Sequence, residues 1–163
     1  MRFSWQLSWS LGRYLFRQSL RGIKRYPLVL MLEPTFQCNL ACNGCGRIRE
    51  YRDILDQRLS FEECMQAVDE AGAPVVSITG GEPLLLPDIQ DIVEGIIAKK
   101  RFVHLCTNGL LLEDMLSKFK PSPYLSFVLH IDGLATSHDD AAGRAGVFDQ
   151  AVSAMRAAQK AGF

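Results

Sequence analysis

Four short runs rich in apolar and β-branched residues recur along the chain, at Leu28–Leu32, Pro74–Thr79, Phe102–Thr107 and Leu125–Ile131. Each is followed by a turn and then by a helical pattern. This alternation constrains the chain more than any other feature, because parallel strands need a crossover of about a dozen residues or more, usually a helix. Leu28–Leu32 is uninterrupted by polar residues, which predicts a strand buried on both faces. Ser60 with Glu63 forms a capping box that opens a helix running to Gly72. Further helices are predicted over Pro87–Lys100, Leu111–Phe119 and Val147–Ala161. The fold class is therefore α/β: about four βα units forming a parallel sheet with right-handed crossovers, a partial TIM-like barrel. In such folds the loops after the strands hold the active site.

Those loops carry the chain's candidate chemistry. Three of its five cysteines, Cys38, Cys42 and Cys45, follow the first run within eight residues. An odd count with three clustered is a poor disulfide framework, and it points to metal chemistry in a reducing compartment. Three thiolates can ligate three irons of a cubic [4Fe–4S] cluster and leave the fourth iron open, whereas an electron-transfer cluster uses four cysteines. The alternative is a closed zinc site, which needs four ligands. Only Cys64, Cys106 and three histidines could complete it, and Cys64 falls inside a predicted helix as a small buried residue. Spacing and ligand count favour the cluster. The other strand ends read Gly80-Gly81-Glu82-Pro83, Thr107-Asn108-Gly109 and His130-Ile131-Asp132-Gly133.

CxxxCxxC after a first strand, followed by GGEP after the second, resembles the radical S-adenosylmethionine (SAM) enzymes. The resemblance implies two cofactors, a [4Fe–4S] cluster on Cys38, Cys42 and Cys45 and SAM chelated to the open iron. It implies that an electron, from a reductant such as flavodoxin or ferredoxin, cleaves SAM to methionine and a 5′-deoxyadenosyl radical. Gly80, Gly81, Glu82 and Pro83 would hold the methionine amino group through backbone carbonyls and the carboxylate, the glycines allowing close backbone approach. Asn108, His130 and Asp132 would complete the cofactor contacts. His130 stands where many relatives have a serine near the ribose; the alternative is a core histidine. Gly44 stands where many relatives carry an aromatic, so adenine contact through that side chain is not available.

The segments KRYPLVLMLEP, RLSFEECMQAV, GAPVVSITGGEPLL, FVHLCTNGLLLE and GVFDQAV resemble the hopanoid-pathway adenosyl hopene transferase. That resemblance covers about Gly22 to Phe163. It implies a transferase that adds the radical to diploptene, a hydrophobic triterpene, giving adenosylhopane. Cys106 would be catalytic there, quenching the product radical from the barrel face of its strand; the alternative is core packing. The family has six βα units and this chain has four, so the expectation is an N-terminal half, inactive by itself. A peptide- or cofactor-modifying radical SAM enzyme is the first alternative. A non-catalytic iron–sulfur or zinc-binding remnant is the second.

Charge divides the chain into residues 1–25, a basic amphipathic helix, and 26–163, the core domain. Residues 1–32 hold six basic side chains and no acid, so the rest, with 12 basic and 18 acidic, is net −6. A helix is predicted from Ser4 to Arg21, with Leu7, Leu11, Tyr14 and Leu15 on one face and Trp5, Trp9 and Phe16 on another. Packing onto the domain and docking on a membrane surface are the two readings, with a transit peptide third. No apolar run is long enough to span a bilayer. The expected location is cytoplasmic, peripheral to the membrane, with no nucleic-acid partner.

Overall fold

The computed structural model describes residues 5–163, apart from the side chains of Ile48 and Arg49. In chain order the elements are α1 (Trp5–Leu20), β1 (Val29–Leu32), α2 (Gly46–Glu50), α3 (Phe61–Ala71), β2 (Val75–Ile78), α4 (Ile89–Ala98), β3 (Phe102–Thr107), α5 (Leu112–Met115), β4 (Leu125–Leu129), α6 (Ala135–Ala142) and α7 (Val147–Lys160). The four strands form one sheet in the order β1-β2-β3-β4, every pair parallel. This is the expected α/β architecture, and it brings all four strand ends to the same edge.

The register separates two faces. Leu32, Ile78, Leu105 and Phe127 lie side by side, as do Leu30, Val76, Val103 and Leu125. These rows pack against the helices, where Cys64 and Val68 of α3, Ile92 and Ile96 of α4 and Ala154 of α7 complete the core. Removing a fully buried aliphatic such as Ile96 to alanine costs about 2–5 kcal/mol. The opposite row, Met31, Ser77, His104 and Ser126, is exposed at Met31 and Ser126 and buried at Ser77. The expectation of a first strand buried on both faces is corrected here: Met31 is 60% exposed and Val29 47%. Helices cover one face only, so an apolar run does not bury both.

Local signals set several boundaries. Ser60 Oγ accepts from Glu63 N–H (3.2 Å) while Glu63 Oε2 accepts from Ser60 N–H (2.7 Å), closing the capping box at the start of α3. Gly72 ends that helix in the left-handed region. The stretch from Pro87 begins its helix only at Ile89, after a single 3-10 turn at Pro83–Leu85. Helix α6 was not expected from the sequence. Asp139 near its end accepts from Gly146 N–H (2.6 Å) and Phe148 N–H (2.9 Å), and so starts α7 by satisfying its free donors.

Helix α1 joins the body lightly. Tyr14 donates to the Pro27 carbonyl (2.8 Å) and its ring meets Tyr26 edge-on, while no residue of α1 is fully buried. Among the described residues no helix is long and apolar enough to cross a membrane.

Candidate active site

The cysteine loop leaves β1 through Glu33–Gln37, and the turn after β2 is bonded to that stem. Thr79 N–H donates to Leu32 O (2.8 Å), Gly81 N–H to Thr35 O (2.9 Å) and Glu82 N–H to Gln37 O (2.7 Å). A Cβ at Gly80, where φ is +102°, would stand 2.5 Å from Thr35 O, and one at Gly81 would overlap the Gln37 carbonyl. The close approach these glycines permit is thus to the cysteine loop's backbone.

Glu82 then ties the turn to the end of β3. Its side chain is 1% exposed. Oε1 accepts from Thr107 Oγ1–H (2.8 Å) and Leu84 N–H (3.1 Å), and Oε2 accepts from Asn108 N–H (2.9 Å). Burial pushes this carboxyl above the usual glutamate value, and the three donors pull the other way. The carboxylate expected to meet a ligand's ammonium is thus buried and accepts from three protein donors. Of the turn's backbone carbonyls, those of Glu82 and Pro83 accept from Leu85 N–H (3.0 Å) and Leu86 N–H (3.0 Å). Pro83 is buried and opens the 3-10 turn that follows.

Asn108 completes the junction. Its Nδ2–H group donates to Asn39 Oδ1 (2.7 Å) and lies 3.9 Å from Cys38 Sγ, while its Oδ1 accepts from Leu110 N–H (3.0 Å). Cys38, Cys42 and Cys45 are all half-buried. Burial raises the Cys38 thiol, and Arg47, which also donates to the Phe36 carbonyl, lowers it. Burial raises Cys42 too, followed by the charges of Cys38 and Cys45. Three thiols near enough to oppose one another's ionisation are a donor set that a multiply charged centre would satisfy. Among the described residues no group of three or more His, Cys, Asp or Glu side chains closes around a single ion. Three free, half-buried thiols in one loop are the kind of donor set that a cysteine-ligated iron–sulfur cluster takes.

The end of β4 reaches the same region. Asn43 N–H donates to Ala141 O (2.8 Å) and its amide to Asp140 O (2.8 Å), docking α6 on the cysteine loop. Leu40, Leu110, Ala142 and Val147 pack together beside Cys38 and Cys42. Asp132 pairs with His130 (Oδ1 to Nε2, 2.9 Å) and contributes to raising the Cys42 thiol. His130 has a side chain 76% exposed.

The buried histidine is instead His138, which sequence reasoning passed over. It is 3% exposed, and its Nδ1 accepts from Asp132 N–H (3.1 Å). Its Nε2 is buried without a partner. Only its place five residues beyond Gly133 could have marked it. Thr107, Asn39 and Arg47 were likewise passed over as supports of the site. Cys106 lies apart on the face of the sheet that carries Ser77 and His104, half-buried, with Sγ 3.5 Å from Ser77 Oγ. Cys64 is fully buried in α3 and its thiol is pushed up to about 11, as a packing residue would be.

A parallel βα sheet with three cysteines and a Gly-Gly-Glu turn at its strand ends defines a class, and comparison with known proteins agrees. The model of the radical SAM superfamily matches residues 32–163, and the chain belongs to that superfamily. Its cofactors are therefore a [4Fe–4S] cluster and SAM. The mycofactocin maturase MftC of Mycolicibacterium smegmatis is 33% identical over 153 residues, covering 91% of this chain and 38% of that protein. GTP 3',8-cyclase 1 of Mycobacterium tuberculosis is 32% identical over 144 residues, covering 82% and 40%. The AdoMet-dependent heme synthase of Methanosarcina barkeri is 32% identical over 143 residues, covering 84% and 40%. Among solved structures, Streptococcus suis SuiB bound to S-adenosylmethionine superposes with a TM-score of 0.67 at 20% identity, over 93% of this chain and 34% of that one. SuiB bound to the precursor peptide SuiA gives 0.68 at 21%, over the same shares. The chain thus spans well under half the length of these relatives.

Proposed function

We propose that this chain is the cluster- and SAM-binding part of a radical SAM enzyme. Cys38, Cys42 and Cys45 would hold one iron each, and the fourth iron would be left for SAM. When bound, these cofactors supply a one-electron reductive cleavage that yields methionine and a 5′-deoxyadenosyl radical. The electron would come from a flavodoxin- or ferredoxin-type reductant. The backbone carbonyls of the Gly80-Gly81 turn would accept the methionine ammonium, and Glu82 would hold that turn against Asn108. His130 and Asp132, already paired at 2.9 Å, would face the ribose hydroxyls. The observation that carries this reading is the hydrogen-bonded junction of the cysteine loop with the turns after β2 and β3.

For the substrate, the relatives' names support a peptide- or cofactor-modifying enzyme. One observation favours a second reading, addition to the triterpene diploptene: on the face of the sheet opposite the helices, Met31, Val29 and Val128 are 60%, 47% and 42% exposed. In that reading Cys106 gives a hydrogen atom from its thiol to the carbon radical. The reductant then returns the thiyl with an electron and a proton.

The test is anaerobic reconstitution of the chain followed by iron, sulfide and 5′-deoxyadenosine analysis. Alanine at Cys38, Cys42 or Cys45 should each remove most of the iron, and alanine at Cys64 should not. Equal loss from Cys64→Ala would overturn the ligand assignment. In the full-length enzyme, an adenosylated product with diploptene selects the second substrate reading. There, saturated adduct lost in Cys106→Ala, with cofactor cleavage continuing, supports the donor role.

A further inference from the structure

The end of the sheet opposite the cysteines carries a second surface. Helix α1 and the entries to the strands enclose a groove of about 990 Å³, to which Arg13, Arg17, Arg21, Arg25, Lys100 and Arg101 all contribute. No acidic side chain lines it among the described residues. The nearby Lys99 is neutralised by Asp69 at 2.9 Å, and Lys100 rests over the Tyr124 ring. The four arginines of the 13–25 stretch have no acidic partner among the described residues.

The same helix bares an apolar stripe. Trp5, Trp9, Phe16 and Leu20 follow one another at steps of four, seven and four residues and so share one side of α1. They are 73%, 65%, 65% and 72% exposed. Arg13, Arg17 and Arg21 form the neighbouring row. The half-buried residues of α1, Gln6, Leu7, Ser10, Leu11, Tyr14 and Gln18, lie on another side, so the stripe is not what holds the helix to the body. Exposed Trp and Phe beside a row of arginines, on a helix without a single acid, is the arrangement that sits at a lipid headgroup boundary.

We infer that α1 and this basic groove dock the protein on an anionic lipid bilayer. The aromatic side chains enter the interface, while the arginines and the groove take lipid phosphates. The strand ends that carry the cysteines lie at the other end of the sheet. The charge complementarity favours a lipid surface over an acidic peptide because the aromatic row adjoins the groove, where a peptide would have to cover both.

Both tryptophans of the chain lie in α1, so tryptophan fluorescence, excited selectively over tyrosine, reports this helix alone. The 163-residue chain should co-sediment with vesicles of phosphatidylglycerol and phosphatidylethanolamine, and not with phosphatidylcholine alone. Brominated phosphatidylglycerol should quench its fluorescence. Replacing Arg13, Arg17 and Arg21 together by glutamine should weaken binding on the order of 100-fold. High salt should weaken it as well, since screening shortens to about 3 Å near 1 M. Circular dichroism is the check that this variant keeps its helices, and the quenching measurement needs no variant. Equal binding to neutral vesicles, absence of quenching, or capture of polyglutamate in preference to the vesicles would each overturn the inference.

Discussion

Replacing Glu82 by glutamine keeps the side chain's shape and removes its charge, and the geometry around it sets the outcome. Three groups donate to the carboxylate: Leu84 N–H and Thr107 Oγ1–H to one oxygen, Asn108 N–H to the other. An amide offers one oxygen. In one orientation its NH₂ faces Asn108 N–H, and in the other it faces Leu84 N–H, so one buried backbone donor always loses its acceptor. At a site 1% exposed that loss costs about 1–3 kcal/mol, or roughly 4–8 °C in Tm for about 2 kcal/mol. Relief from burying a charge works the other way. Protonation is not equivalent to the amide, because a protonated carboxyl keeps an acceptor lone pair on each oxygen. Burial raises the Glu82 carboxyl above its ordinary 4.5. An acid raised in this way contributes its stability fully below the unfolded value and loses it as pH rises through the folded value. The margin of wild type over Glu82→Gln should therefore be positive, and should shrink as pH climbs above about 4.5. Urea unfolding of both proteins across that range measures it. A variant as stable as wild type, or a margin that widens with pH, would refute the reasoning.

Gly81→Ala should cost about 1–3 kcal/mol or more, because the added methyl meets the backbone carbonyl of Gln37, and reconstituted iron should fall with it. His138→Leu should lose about 1–3 kcal/mol by leaving Asp132 N–H without an acceptor, while His138→Asn recovers part of it; thermal melts of both variants check this. The Asp139 carboxyl is held below its usual value by Phe148 and Gly146 N–H, so its contribution is present above the ordinary aspartate range and is lost as pH falls through the folded value. An Asp139→Asn variant should therefore differ most from wild type at neutral pH and converge with it in acid, as read from Tm against pH.

The parallel sheet was legible because each strand is a short run with its own turn chemistry, and the capping box at Ser60 and Glu63 marks its helix without tertiary help. The clustering of Cys38, Cys42 and Cys45 was legible from spacing alone. What the residues did not reveal was which face of β1 stays open, because an apolar run carries no record of whether one layer of helices or two will cover it. The inward turn of Glu82 was also hidden, since its partners Thr107 and Asn108 lie 25 and 26 residues away. Helix α6 escaped notice because Ala135–Ala142 has little amphipathic pattern, and its position depends on Asn43 bonding to its end. His138 was hidden for the same reason, and His130 was weighed for a burial that His138 has.

The central claim is that three cysteines leave one iron of a [4Fe–4S] cluster open to SAM. Electron paramagnetic resonance of the reconstituted, reduced chain, recorded before and after adding SAM, tests it most directly. The account predicts a reduced [4Fe–4S] signal that changes in shape when SAM is added, because the ligand binds the iron itself. A cluster signal that SAM leaves unchanged, or zinc in place of iron and sulfide, would contradict it.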